Sequence, residues 1–574
     1  MPTAAEVIVQ TLADSGIKRV YGLPGDSLNG VTDAIRQHPE IEWVHVRHEE
    51  VAAFAAGAEA HLTGELVVCA GSCGPGNMHL INGLYDCHRS RVPVLAIAAQ
   101  IPSSELGTGY FQETRPELLF RECSHYCEMV SESNNVPRIL GIAMRTAIAR
   151  RGVSVITMPG DVLLGDCHTK LGGVVQRTDP APLLRPREED LRTAAAILNS
   201  ANKVTILGGA GCAGAHAELL QIADKLKAPI VHAMRGKEFI EYDNPFDVGM
   251  TGLLGFSSGY HAMMACDVLL MLGTDFPYTQ FYPENAKVIQ VDLRGEQIGR
   301  RTHIDLGLLG RVKDTVTALL PFLEQKSNSE HLQRATNHYH EVRKGLDELA
   351  TGKPGETPIH PQYVARLIDQ LAADDAVFTC DVGTPSIWAA RYLRMNGKRR
   401  LLGSFTHGSM ANAVPQAIGA QASHRQRQVV SLSGDGGVAM LLGDLLTLRQ
   451  MKLPVKIVVF NNGSLAFVEL EMKAAGFLDF GTALDNPSFA QVASAAGLLG
   501  IRVEKPEDLQ SALTQAFAHN GPALVDVVVH RQELSMPPTI KFNQMAGFGL
   551  YIARAVMNGR ADEIIDLAKT NLFR

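Results

Sequence analysis

VVSLSGDGG, residues 429–437, joins a β-branched apolar run to a glycine-rich turn that carries one acidic residue. Such a run, bounded by glycine, reads as a buried strand of a parallel sheet, Val429–Leu432. Glycines at the C-terminal end of such a strand let the backbone turn tightly and aim N–H groups at an anion. Twenty-four residues lie between Gly436 and the pair Asn461-Asn462, which closes a second apolar run, Ile457–Phe460. Consecutive parallel strands would bring both turns to one edge of the sheet, the edge at which α/β proteins bind ligands. Each turn alone is ordinary, since Gly and Asn favour turns anyway. Their spacing on successive strands is the informative part.

Outward from this stretch, strand-like runs alternate with helical patterns in three blocks, the signature of parallel α/β sheets. The expected fold class is α/β, with three doubly wound parallel-sheet domains at 1–182, 183–334 and 335–530. A strandless, helical C-terminal segment follows at 531–574. In the first block the expected strands are Leu66–Ala70, Val94–Ala98 and Val153–Thr157; in the second, Val204–Leu207, Val268–Leu272 and Val288–Val291. The third has Ala376–Cys380 and Leu524–Val529 beside the two already named. Polar, proline-containing stretches at 176–187 and 351–358 read as linkers, and Glu324–Leu349 as a charged helix.

Composition narrows the function. The 574 residues are too many for one core, and 46% apolar with 20% charged residues describes a packed globular protein. A net charge of −7 offers no basic face for nucleic acid. Nine scattered cysteines, an odd number, do not suggest a disulfide framework. Met1–Gln10 lacks a signal-like pattern, and Val92–Ile101, the longest apolar stretch, falls short of the roughly 20 residues a spanning helix needs. A cytoplasmic protein is expected.

An aspartate in a phosphate-facing turn would repel a bare diphosphate, so Asp435 implies a cation between them. Mg²⁺ suits, because it takes few carboxylates and completes its octahedron with phosphate oxygens and water. The pattern GDG…NN resembles the motif of the thiamine-diphosphate enzymes that include pyruvate oxidase, acetolactate synthase and pyruvate decarboxylase. The resemblance implies that Asp435, the Asn462 side chain and the Ser464 backbone carbonyl bind Mg²⁺. It places Gly436 and Gly437 beside the diphosphate, together with Gly383 and Thr384 of DVGTP. In HGSMANA, Gly408 and Ser409 would lead to Met410, the apolar wedge that bends the cofactor. The family's glutamate at pyrimidine N1′ comes from an Arg-His-Glu sequence in the other flanking domain; here, in Arg47-His48-Glu49-Glu50, Glu49 aligns with it and the neighbouring Glu50 is the second choice. Alone, Glu49 is an ordinary helix-start carboxylate favoured by the dipole. Because the family divides each site between subunits, the resemblance implies a homo-oligomer, with a tetramer expected.

Gly209-Ala210-Gly211-Cys212-Ala213-Gly214 matches GxGxxG after a strand, a weak signal by itself; Asp224 lies within a helical pattern and offers no ribose partner. By similarity, FAD would occupy the middle domain. Thr251, Gly252, Leu253 and Leu254 would flank it, with Thr274, Asp275, Phe276, Pro277 and Tyr278 along its ribityl and diphosphate part and Asp292 on the adenosine side. The three domains would thus be pyrimidine-binding, FAD-binding and diphosphate/Mg-binding.

The likeness runs along the chain, including SCGPGN at 72–77, FQET at 111–114 and KRRLLGSF at 398–405. It is strongest to the family's quinone-linked, pyruvate-oxidising branch. That implies pyruvate as substrate, acetate and CO₂ as products, a membrane quinone as acceptor and location at the inner face of the cell membrane. Phe111 and Phe467 would sit beside the thiazolium. Met545, Phe548, Ile552 and Val556 fall at helical spacing, as do Ile564, Ala568 and Leu572, with Asp562, Glu563, Asp566 and Lys569 elsewhere. An amphipathic segment of this kind can dock on its own protein or lie on a phospholipid surface; the resemblance favours the latter. Acetolactate synthases carry a tryptophan soon after NN, whereas Trp43 and Trp388 lie elsewhere. An oxidase forming acetyl phosphate would not need the tail.

Overall fold

A computed structural model of the chain describes residues 1–169, 174–175, 183–531, 533, 542–558 and 560–572. These form three six-stranded sheets, all parallel. The first holds β1 (Arg19–Gly22), β2 (Glu42–His45), β3 (Val67–Gly71), β4 (Val94–Gln100), β5 (Tyr126–Met129) and β6 (Val153–Pro159). The second holds β7 (Val204–Gly208), β8 (Ile230–His232), β9 (Asp247–Met250), β10 (Val268–Leu272), β11 (Lys287–Asp292) and β12 (Leu306–Leu309). The third holds β13 (Val377–Cys380), β14 (Arg400–Gly403), β15 (Val429–Gly434), β16 (Lys456–Asn461), β17 (Leu499–Val503) and β18 (Ala523–Val528).

The flanking sheets share one strand order. The first runs β2-β1-β3-β4-β6-β5 and the third β14-β13-β15-β16-β18-β17. The middle sheet differs. Read from β9 it runs β9-β8-β7-β10-β11-β12, which is the 3-2-1-4-5-6 order of dinucleotide-binding sheets. Its chain reverses direction across the sheet between β7 and β10, where a ligand crevice is expected.

Each expected strand is present, with its ends shifted by a residue or two. Their side chains are buried on both faces, which explains why they read as continuous apolar runs rather than alternating ones. The charged helix spans Glu330–Leu349 and runs through position 334, where the sequence placed the end of the middle domain. It packs on the middle domain through Ala335 and Tyr339.

One core joins the first and third domains. The helix Glu49–Thr63 lays its alanines against the helix Ala413–Ser423, so that Ala52, Ala53, Ala55 and Ala56 are buried with Ala417, Ile418 and Ala420. Small side chains allow this approach. Gly419 allows the closest point, since a Cβ there would lie 2.0 Å from the Ala55 carbonyl oxygen. The alanine-rich run after Arg47-His48-Glu49 is thus a packing surface. All nine cysteines are free, and eight are buried.

Candidate active site

β15 pairs with β16 in register Gly434↔Phe460, so the GDG and NN turns emerge side by side. Asp435 is 3% exposed. Its Oδ1 accepts from Gly436 N (2.9 Å); its Oδ2 accepts from Gly463 N (2.7 Å) and Asn486 Nδ2 (2.8 Å). Burial raises its pKa against the effect of these donors. A carboxylate has about four lone-pair positions, so room for a cation is left on Asp435. The two asparagines divide the work. Asn461 is buried and donates to Asp526 (2.9 Å), while the half-buried Asn462 accepts through Oδ1 from Ser464 N (3.0 Å). That oxygen keeps a second lone pair, and with Asp435 and the Ser464 carbonyl it makes the all-oxygen donor set that Mg²⁺ takes. The residues present fit the ion.

Asn486, unremarked in the sequence, also donates to Asn461 Oδ1 (3.1 Å) and so ties the two turns together. Its only local signal is the turn-forming Asp485-Asn486-Pro487. Asp381, the first residue of DVGTP, has no local sequence signal of its role. It is buried, accepts from Ala413 N (3.2 Å) and Gly434 N (3.3 Å), and burial pushes its carboxyl up to about 7. It gathers three turns around one side chain. Gly383, with φ 133°, precedes the helix Thr384–Tyr392, whose start has no side-chain cap; Pro385 there has no N–H and Ser386 N donates to Gly383 O (3.2 Å). Gly436 faces the Met410 methyl, 3.3 Å from the place of a Cβ, beside Leu465 and Leu484. Met410 therefore lies against the GDG turn.

Glu49 opens its helix and is 5% exposed. Its Oε2 lies 2.9 Å from Nδ1 of His79, on the helix Pro75–Ser90, and the His48 ring stacks on His79 at 4.2 Å. Burial, then the neighbouring His79, lowers the pKa of His48. The Glu49 carboxylate is thus held nearly out of water, with one imidazole leading outward. The aromatic candidates differ: Phe467 is half-buried against the third core, while Phe111 is 76% exposed.

In the middle domain the glycine turn after β7 meets the end of β10 at the switch point. Gly211 N donates to Gly273 O (2.9 Å), and a Cβ on Gly209 or Gly211 would lie 2.6 or 2.7 Å from Gly273 atoms. Close packing of the two turns thus explains both glycines. Better evidence for a ligand is Thr251: it is buried, and among the described residues its hydroxyl has no hydrogen-bond partner. Thr274 and Asp292 are buried at the same sheet edge, and burial raises the Asp292 pKa. Asp275 pairs with Arg301 (2.8 Å). Gly252 abuts Phe276, which turns into the domain core; Pro277 and Tyr278 are exposed. Leu253 is half-buried in that core, whereas Leu254 packs on the third domain and its carbonyl accepts from Arg391. The 3-2-1-4-5-6 order, with a buried hydroxyl that has no partner among the described residues at the same sheet edge, fits a dinucleotide such as FAD.

The C-terminal segment forms helices Phe542–Met557 and Ala561–Leu572. The first docks on the helix Ala466–Ala474, which follows Ser464. Tyr551 and Ala555 are buried, Lys473 Nζ lies 5.3 Å from the Tyr551 ring centre, and Arg554 donates to Gly476 O. Arg560 pairs with Asp479 and Glu563. Within the expected stripe Phe548 is half-buried, while Ile552 and Val556 are exposed beside Leu550 and Met557. Docking therefore uses a face about one residue away from that stripe. In the second helix Leu567 and Thr570 are buried, Ile564 and Glu563 half-buried and Asp562 exposed. The side chains of Met545, Asp566, Ala568, Lys569 and Leu572 lie outside the described residues. Among the described residues no helix is long and apolar enough to cross a membrane.

Comparison with known proteins agrees with this architecture. Residues 2–118 match the thiamine pyrophosphate enzyme N-terminal TPP binding domain, 191–319 its central domain and 381–527 its C-terminal TPP binding domain. The putative thiamine pyrophosphate-containing protein YdaP of Bacillus subtilis (strain 168) is 36% identical over 99% of this chain and 98% of its own. Pyruvate oxidase of Lactiplantibacillus plantarum is 29% identical over 92% of this chain and 88% of its own. The acetolactate synthase isozyme 1 large subunit of Escherichia coli (strain K12) is 29% identical over 95% and 98%. With three family domains in order and a relative matched nearly end to end, this chain belongs to the thiamine pyrophosphate enzyme family.

Proposed function

We propose that this protein oxidatively decarboxylates pyruvate to acetate and CO₂ with thiamine diphosphate, Mg²⁺ and FAD, and passes the electrons to a membrane quinone. The carrying observation is the buried Asp435 carboxylate at paired strand ends, with Asn462 and Ser464 completing an oxygen donor set. When bound, thiamine diphosphate would supply an electron sink for decarboxylation and FAD an acceptor for two electrons. Asp435, Asn462 and Ser464 hold the Mg²⁺-diphosphate end, while Met410 presses on the ring-bearing part. Glu49 holds a proton at pyrimidine N1′. Its burial favours a directed hydrogen bond over exchange with water. Phe111 and Phe467 keep water from the reacting carbon. Each complete site takes Glu49 from one subunit and Asp435 from another, and the working assembly is a tetramer. The dinucleotide-type middle sheet and the orphaned Thr251 hydroxyl support the flavin; a pyruvate oxidase among the relatives supports the substrate.

The test mixes purified protein, thiamine diphosphate, Mg²⁺ and pyruvate without oxygen and follows flavin absorbance. Bleaching with release of acetate supports the proposal. Acetolactate without net flavin reduction would replace it with carboligation, and phosphate-dependent acetyl phosphate with the phosphate-using oxidase. The lipid part is tested separately. The docked tail, released when substrate reduces the flavin, would offer Ile552 and Val556 to a phospholipid surface at the inner face of the membrane. Truncation before Tyr551 should then abolish stimulation by phospholipid vesicles while activity with a soluble acceptor persists; stimulation that survives truncation removes the tail from the account.

A further inference from the structure

The helix Pro75–Ser90 belongs to the first domain, yet one face of it is bound to the loop that carries Met410 in the third. Asn82, Tyr85 and Asp86 lie at i, i+3 and i+4 and therefore share that face. Asn82 donates from Nδ2 to Ser409 Oγ (2.9 Å), and its Oδ1 lies 2.8 Å from His407 Nε2. The Tyr85 ring stacks on His407 with centres 5.6 Å apart. Asp86 is 4% exposed and accepts from Ser404 Oγ (2.7 Å) and Gln416 Nε2 (3.3 Å).

The Ser404 contact sets a direction. A serine hydroxyl has one proton, and Asp86 takes it, so the oxygen's lone pairs are left to accept from Ser409 N at 3.0 Å. The loop needs such holding, because Ala411, one residue past Met410, has φ +64°, a region costly for a side chain with a Cβ. The second Asp86 contact passes inward. Gln416 Oε1 accepts from Asn412 Nδ2 (3.1 Å), and Asn412 Oδ1 accepts from Val382 N (3.3 Å) in the DVGTP turn. Ser404, Asn412 and Gln416 are all buried, so water does not compete for these bonds. Burial pushes the Asp86 carboxyl up to about 6, with Ser404 opposing the shift. A buried carboxyl of this kind is stabilising only while its partners stay in place.

We propose that Asp86 is a positioning residue: anchored in the first domain, it fixes the Ser404–Asn412 loop and so holds Met410 where it bends bound thiamine diphosphate. This rests on the thiamine reading above. It adds that the wedge is set by a side chain from another domain, more than three hundred positions away.

The experiment compares wild type with Asp86→Ala, Asp86→Asn and Ser404→Ala. In cofactor-free protein, hydrogen exchange read by mass spectrometry should be faster across 404–412 in Asp86→Ala and Ser404→Ala. With thiamine diphosphate and Mg²⁺ bound, the C2 proton should exchange on the order of tenfold to a hundredfold more slowly than in wild type, the usual cost of losing such support or of displacement by about 1 Å. Mg²⁺ affinity should change little, since Asp435 and Asn462 are untouched. Asp86→Asn keeps an acceptor for Ser404 and should recover much of both losses. If Asp86→Ala fails to fold, Ser404→Ala carries the same readouts. Wild-type loop protection and C2 exchange in the folded alanine variants would overturn the proposal. A wild type that binds no thiamine diphosphate in the presence of Mg²⁺ would overturn the thiamine reading with it.

Discussion

Asn486 stands 51 positions from Asp435 and 25 from Asn461, and one amide holds both. Removing it leaves the Asp435 Oδ2 with one donor fewer and lets the two turns drift apart. Asn486→Ala should therefore weaken Mg²⁺ binding roughly 10–100-fold, as losing a residue behind a metal ligand does. A Mg²⁺ titration of thiamine diphosphate binding, followed by intrinsic fluorescence, reads this; an unchanged midpoint contradicts the role. Glu49→Gln keeps the size and a hydrogen-bonding group but removes the acid. Turnover should fall by about 10²–10⁴, the usual worth of a positioned acid–base group, while thiamine diphosphate still binds. Asp435, Asn462 and Ser464 were legible because they adjoin a strand end and share a motif. Glu49 was legible by resemblance alone, since a glutamate at a helix start is ordinary. Asp381, Asn486 and Asp86 act through contacts that no local pattern records.

At the scale of elements, the join between Glu49–Thr63 and Ala413–Ser423 depends on small residues. Gly419→Ala would push a methyl into the Ala55 carbonyl, and overpacking of this kind costs about 1–3 kcal/mol; the melting temperature should fall measurably. The tail is bound more locally. Tyr551→Ala removes its largest buried side chain, worth about 3–5 kcal/mol for a core aromatic, so limited proteolysis should cut residues 542–558 faster than in wild type while the three domains stay resistant. β9 brings a pH effect. Asp247 is buried with His232 3.6 Å away, and burial, then the Glu241 charge, pushes its carboxyl up to about 8. The unfolded chain ionises this carboxyl near ~4, whereas the folded chain keeps the proton to about 8. Ionisation thus favours unfolding, and stability from this site falls as pH rises between those values. The thermal gain of Asp247→Asn over wild type should grow across that window and then level off; a gain independent of pH would falsify the shift. The strands missed in the sequence, among them β2, β5, β8, β12 and β17, are three to five residues long, and several are only partly buried. Short, half-covered strands give neither a long apolar run nor a clean alternation.

At the scale of the whole molecule, the proposed division of the site between subunits predicts complementation. Glu49→Gln and Asp435→Asn, each inactive alone, should recover roughly a quarter of the sites when coexpressed, because a twofold pair then holds one intact combination. No recovery would mean that each chain builds its site from its own halves.

The sequence alone determined the class of fold, three blocks of buried parallel strands, and which two polar turns would meet at one sheet edge. Both are written in local patterns: apolar runs ended by glycine, and an acid among glycines one strand away from an asparagine pair. Tertiary structure decided the rest. Only strand order separates the dinucleotide-type middle sheet from the two flanking ones, and no local composition records which strands become neighbours. Only the folded chain brings Asn486 to Asp435 and Asp86 to Ser404, and buries Tyr551 rather than Ile552 where the tail docks. The physical reason is the same each time. Backbone periodicity is set by residues a few positions apart, whereas these contacts are made by side chains tens to hundreds of positions apart, and packing selects them.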